Sequence, residues 1–167
     1  MSDVDIRLAV GAEYDAVGEL TVAAYEADAP LGSYAEVLRD AAARAAVGEL
    51  LVAVDGGEII GTATLIPPDG PAEWREKTPP GGATLRMVAV SPSVRGRGIA
   101  TALTAECIER CRERGWPQLC LLTVDRMKAA QRIYEQLGFV RDPSLDWQID
   151  SGLLMGYSLS LTTDRGK

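Results

Sequence analysis

The chain has 167 residues, 47 % of them hydrophobic and 25 % charged, with a formal net charge of −7 and no histidine. The acidic balance argues against nucleic acid as a main partner, since phosphate-neutralising chains carry a basic excess; without histidine, neither a Ser-His-Asp or Cys-His nucleophilic machine nor the usual histidine-bearing zinc site can be assembled from these residues. No apolar run reaches membrane-spanning length, and "MSDVDIRLAV" lacks the basic and apolar regions of a secretory leader, so the expectation is a cytoplasmic protein without membrane contact.

"DIRLAV" predicts a short strand, followed by an acidic first turn (Glu13, Asp15) and a helix to about Ala27. "SYAEVLRDAAARAAV" predicts one further helix, with Ser33 and Glu36 at capping-box spacing. "ELLVAVDGGEIIGTATLI" holds two apolar runs around Asp55-Gly56-Gly57, the sequence's best hairpin signal. Pro67 to Gly82 carries too much proline and glycine for a regular element and predicts a long loop. "ATLRMVAV" is the next strand, ended by Ser91-Pro92. From Gly98 the apolar positions Ile99, Leu103, Cys107 and Cys111 recur at helical spacing until Gly115 and Pro117 stop the pattern. "QLCLLTV" reads as a strand covered on both faces, Lys128 to Leu137 as a helix closed by Gly138, and "LLMGYSLSL" as the last strand before a polar tail, Thr162 to Lys167, expected to fray. The order predicts one mixed α/β domain over residues 1–161 with helices on both faces of the sheet and a parallel crossover from "LRMVAV" to "QLCLLTV". Cys107, Cys111 and Cys120 form no CxxC pair, fit a reducing compartment, and are expected as small buried hydrophobes.

"SVRGRGIATAL" places Arg95 and Arg97 at the start of a helix, where the macrodipole makes each cation cost about 0.3 to 1 kcal/mol. A strand, a glycine-bearing loop and a helix N-terminus is the arrangement whose N–H groups converge on an anion. Gly96 and Gly98 admit a ligand to the backbone, and the two arginines make sense as donors to a polyanion. No GxxxxGK[ST] run exists, which excludes a Walker loop. A dinucleotide fingerprint, Gly96-x-Gly98-x-x-Thr101 with Asp125, fits poorly because the preceding loop is long and the acid lies too far on.

"RGRGIA", Arg95 to Ala100, resembles the [RQ]-x-x-G-x-[GA] pyrophosphate loop of the GNAT superfamily of acyl-CoA-dependent N-acetyltransferases, and "AAQRIYEQLGFVR" resembles its second signature, a tyrosine-bearing helix ending in Leu-Gly-Phe. The resemblance covers nearly the whole chain and implies a mostly antiparallel mixed sheet with a splayed parallel pair at its centre. It implies acetyl-CoA as cosubstrate with no metal, and an amine acceptor of small-molecule or peptide type. Backbone groups of Val88 and Val90 would hold the pantetheine arm. The N–H groups of Gly96, Arg97, Gly98, Ile99 and Ala100, with the Arg95 and Arg97 side chains, would hold the pyrophosphate. Tyr134 would protonate the leaving thiolate, and a backbone N–H of "VAV" would face the oxyanion. Two positions depart from the pattern: Thr84 stands where many relatives have glutamate, and Met127 where many have asparagine. A substitute base could come from Glu73, Glu76, Asp125 or Asp146, and the acceptor walls from Tyr25, Asp28, Tyr34, Trp74 and Trp147. A non-catalytic acyl-CoA-binding module and a protein lysine or N-terminal acetyltransferase are the alternatives, and the assembly is expected to be a monomer or homodimer.

Overall fold

The structure, a computed structural model, describes residues 4–150 and 152–162; the expected fraying of the tail beyond Thr162 lies outside them. The chain forms two compact units, residues 1–65 with 87–106 and residues 66–86 with 107–167.

In the first unit β1 (Val4–Leu8), β2 (Glu49–Asp55) and β3 (Glu58–Ile66) form an antiparallel sheet in that order, the last two joined at Gly56-Gly57 as the sequence predicts. Both glycines have positive φ, 59° and 84°, which a primed hairpin turn requires. The register slips between Ala53 and Val54, leaving Ile60 as an extra residue in β3. Helix α1 (Tyr14–Glu26) follows a 3-10 turn, Gly11–Glu13. Val17, Ala41, Leu50 and Val52 form a buried cluster closed by Tyr14, Ala45, Val54 and Ile59.

The single helix expected from Ser33 to Val47 is two: α2 (Tyr34–Arg39) and α3 (Ala41–Val47), broken at Asp40. Asp40 caps α3 by accepting the Ala43 N–H at 3.0 Å, while Ser33 makes no side-chain cap and Glu36 pairs with Arg39 instead. The break has a use for the core. Arg44 is fully buried, and its Nη2 donates to the Leu38 carbonyl at 2.8 Å and to Thr21 Oγ1 at 3.3 Å. A continuous helix would engage that carbonyl in its own ladder.

In the second unit the loop from Pro67 contains one short helix, α4 (Ala72–Arg75), which the proline and glycine content concealed. Strand β4 (Ala83–Val90) begins in this unit and ends in the first. Its pairing with β5 (Gln118–Val124) is parallel at Ala83↔Leu119 and Thr84↔Cys120, at the entry of the two strands. β5 runs antiparallel to β8 (Gly152–Ser160) along its whole length. Against β8 lie β6 (Val140–Arg141) and β7 (Trp147–Ile149), the latter not foreseen in the sequence because its three residues are all exposed and carry no alternation. Helix α5 (Ile99–Glu113) starts in the first unit and ends in the second, and α6 (Lys128–Gln136) belongs to the second. All three cysteines are buried and unbridged. Among the described residues no helix is long and apolar enough to cross a membrane.

Candidate active site

The first unit builds the glycine loop from β3 outward. The extra residue in β3 leaves the Ile60 carbonyl to accept the Ser91 N–H at 2.9 Å, which fixes where β4 ends. Pro92–Val94 then makes one 3-10 turn, and Arg95 is extended at φ −63°, ψ 152°. Gly96 and Gly98 follow at φ 88° and 79°, a region costing an L-residue about 1–2 kcal/mol. Alternating signs of φ turn successive N–H groups toward one concavity, the geometry of an anion nest. The first ladder bond of α5 is Ala102 N–H to the Gly98 carbonyl at 3.0 Å, so the N–H groups before it head the helix without ladder partners. Gly61 brings this helix close: a Cβ there would lie 2.9 Å from Ile99 Cγ2.

The arginine side chains have partners the sequence did not disclose. Arg95 Nη1 lies 3.3 Å from Asp28 Oδ1 and its Nη2 donates to the Ala24 carbonyl at 2.8 Å; Arg97 Nη2 donates to Asp55 Oδ2 at 2.9 Å. Two aspartates thus offset the charge that the arginines bring to the helix end. With the arginine side chains 43 % and 37 % exposed, each pair is worth no more than about 1 kcal/mol. Val88 and Val90, with Arg86, are the half-exposed positions of β4, alternating with buried Met87 and Ala89. Met87 has φ 55°, an irregularity in mid-strand that the β-branched pattern around it hides.

The second unit carries Tyr134, buried on α6. Its ring meets Phe139 edge-on at 5.7 Å and Tyr157 at 6.4 Å. Burial, with a smaller push from Cys107, raises its phenol to about 12. The Leu-Gly-Phe end explains how it is held: Gly138 takes φ 104°, the Phe139 N–H closes on the Tyr134 carbonyl at 3.0 Å, and the Phe139 ring is buried. Met127, at the N-cap of α6, makes no side-chain cap. Gln131, which sequence reasoning passed over, ties the helix to the end of β5 through Nε2 bonds to the Val124 and Asp125 carbonyls at 2.9 and 3.0 Å.

Thr84 is fully buried, with Oγ1 2.8 Å from Thr78 Oγ1 and 3.3 Å from the Arg75 carbonyl. Of the four substitute carboxylates, Glu73 is exposed and Asp125 pairs with Lys128 in solvent at 2.8 Å. Asp146 is locked by Arg141 at 2.7 and 2.8 Å and by the Gly156 N–H at 2.8 Å, which together hold its carboxyl below the usual range. Glu76 differs from all three. Its side chain is 14 % exposed, lies 3.6 Å from Arg86 Nε, and borders a small cleft with Thr78, Cys120, Leu121, Leu122 and Leu145. Burial raises its carboxyl against the opposing pull of Arg86. Trp74 backs the pair, its ring 4.9 Å from the Arg86 guanidinium carbon.

A family model described as the acetyltransferase (GNAT) family matches residues 14–139. The chain is 30 % identical over 108 residues to N-acetyltransferase 8 of Rattus norvegicus, covering 62 % of this chain and 46 % of the relative, so it spans about half of that protein's length. Among solved structures it is similar to a GNAT-family acetyltransferase of Staphylococcus aureus (TM-score 0.74, 19 % identity, 95 % of this chain and 99 % of that one). It is also similar to a GNAT-family acetyltransferase of Brucella melitensis in complex with acetyl-CoA (TM-score 0.67, 21 % identity, 100 % and 94 %). The mixed sheet, mostly antiparallel with the parallel pair β4–β5, is the fold of these structures.

Proposed function

Since the chain belongs to the acetyltransferase (GNAT) family, we propose that it moves the acetyl group of acetyl-CoA directly onto a primary amine of a small molecule or peptide. The observation that carries the reading is the pair of positive-φ glycines, Gly96 and Gly98, at the head of α5, an anion nest where the family loop belongs. The pyrophosphate is received by the N–H groups from Gly96 to Ala100, with Arg95 and Arg97 leaving Asp28 and Asp55 to share it. The pantetheine arm lies along the β4 backbone at Val88 and Val90, as an added strand would.

The neutral amine attacks the thioester carbonyl, a C–N bond forms, and the tetrahedral oxyanion faces a backbone N–H of β4. On collapse the C–S bond breaks, and Tyr134 donates its proton to the departing sulfur. At about 12 the phenol is protonated throughout the working pH range, so the donor is always in place. The amide nitrogen then returns a proton to the phenolate, and no covalent enzyme intermediate is needed.

The test is titration calorimetry with acetyl-CoA, followed by released thiol from acetyl-CoA and a panel of primary amines that includes lysine-bearing peptides. Binding with thiol release that requires an amine is the expected result. Binding without turnover on any amine would favour a non-catalytic acyl-CoA-binding module. Mass shifts confined to the peptides would identify a protein acetyltransferase.

A further inference from the structure

Resting on the acetyltransferase reading above, we infer that Arg95 is a latch between the glycine loop and the end of α1. When the cofactor diphosphate fills the loop it draws the guanidinium away and uncaps the helix, so that residues 24–29 open more readily in the bound protein than in the free one. All the residues concerned belong to the first unit.

The last turn of α1 shows why it needs the arginine. In a continuing helix the Ala24 carbonyl would accept the Asp28 N–H. That N–H closes instead on the Tyr25 carbonyl at 3.0 Å, and the Ala29 N–H reaches the same oxygen at 3.2 Å. Pro30, which has no N–H to give, comes next. The helix thus ends on a tightened turn that passes over the Ala24 carbonyl, and Arg95 Nη2 donates to that oxygen at 2.8 Å. A cation is the favourable cap at this end, where the macrodipole is negative. Arg95 Nη1 stands 3.3 Å from Asp28 Oδ1, two residues past the helix. One guanidinium therefore holds the α1 terminus at two points, 71 and 67 residues away in sequence.

The same side chain stands immediately before the nest, on the residue preceding Gly96. A planar guanidinium grips phosphate oxygens through two adjacent N–H groups, and every such pair includes at least one terminal nitrogen. Both terminal nitrogens of Arg95 are committed to α1 at rest. The diphosphate is held in this way only when α1 gives up a bond. Arg97 carries no such coupling. Its Nη2 donates to Asp55 Oδ2, and Asp55 lies in β2, in register with Val4 of β1 and Glu58 of β3, so its strand is held with or without the arginine. Freeing Arg97 leaves only a partly exposed carboxylate behind. Freeing Arg95 also takes the donor from a backbone carbonyl of Ala24, a residue 3 % exposed. Losing a bond to such a group lowers the cost of local opening. By linkage the coupling is reciprocal, and whatever tightens the hold of α1 on Arg95 weakens the cofactor by the same factor.

The test is amide hydrogen exchange, read residue by residue by NMR, on the wild-type chain, Arg95→Ala and Arg97→Ala, each free and saturated with acetyl-CoA as judged by calorimetry. In the wild-type chain, saturation is expected to slow the amides of Gly96 to Ala100 and to speed those of Asp28 and Ala29 by about fivefold or more. Arg95→Ala should show the fast rate already when free, with no further gain on saturation. Arg97→Ala keeps the cap and should repeat the wild-type response. Asp28 and Ala29 amides that hold or slow in the saturated wild-type chain overturn the latch, as does an acceleration that survives in Arg95→Ala. Should that variant not fold, the wild-type and Arg97→Ala responses decide. In each of these cases acetyl-CoA has bound, and the acetyltransferase reading is untouched. No acetyl-CoA binding by the wild-type chain, or saturation that leaves Gly96 to Ala100 unchanged, defeats both.

Discussion

Gly61→Ala tests whether β3 seats the glycine loop. A Cβ at Gly61 would lie 2.9 Å from Ile99 Cγ2, 3.0 Å from Leu103 Cδ1 and 3.4 Å from the Ala89 carbonyl oxygen. The leucine methyl ends a flexible chain and can turn aside. The isoleucine methyl sits on the branched Cβ of the first residue of α5, so relief requires moving the first turn of the helix. Overpacking of this kind costs about 1–3 kcal/mol. For a chain of this size each kcal/mol lowers Tm by roughly 2–4 °C, so a fall of about 2–12 °C is expected. The same displacement tilts the N–H groups of Gly98 to Ala100, and acetyl-CoA affinity should drop by about tenfold, equivalent to roughly 1.4 kcal/mol. Thermal melting and calorimetric titration measure the two effects, with Gly11→Ala as control because a Cβ there meets nothing within 4 Å. If Gly61→Ala melts and binds as the parent does, the helix is not held at this contact and the derivation of the loop's position from β3 is wrong.

Tyr134→Phe should reduce turnover by about 10²-fold with near-normal acetyl-CoA affinity, because only the phenol's hydroxyl is removed and the ring stays; equal turnover across the pH range would take Tyr134 out of the acid role. Arg95→Ala with Arg97→Ala should weaken acetyl-CoA binding while Tm moves by only a few degrees, since each ion pair lost is about 1 kcal/mol or less. Asp28→Asn with Asp55→Asn should tighten binding, and calorimetry on both doubles decides. Arg7 Nη1 and Nη2 grip Glu13 at 3.0 and 2.7 Å, the Val10 N–H adds a bond at 2.9 Å, and the carboxyl falls from 4.5 to about 2. Its folded value lies below its unfolded one, so this stabilisation is present in full above about pH 4.5 and disappears as pH falls through about 2. The Tm difference between the wild-type chain and Glu13→Gln should close over that window, and a constant gap would contradict it.

The parts of the fold written in short-range chemistry were readable from the residues. Asp55-Gly56-Gly57 makes the hairpin turn its composition predicts, and Gly138 closes α6 where a left-handed residue was needed. The break at Asp40 leaves no such mark, because a good N-cap looks like any other polar residue inside an alanine-rich run; its meaning depends on Arg44 reaching the Leu38 carbonyl, a tertiary fact. A helix-dipole cost alone points the arginines at an anion, yet Asp28 and Asp55, 67 and 42 residues away in sequence, already lower that cost. Spacing carries no sign of such pairs. Glu76 was visible only as one of four loose carboxylates, and it is distinguished by burial, which leaves no trace in residue type.

The three cysteines bear on how the chemistry can be watched. With Cys107, Cys111 and Cys120 at 0 %, 0 % and 1 % exposure, a chromogenic disulfide reagent has no sulfur of the folded protein within reach. Colour developing in a continuous assay therefore counts liberated coenzyme from the first second. Any slow rise in an amine-free blank would be the molecule itself coming open.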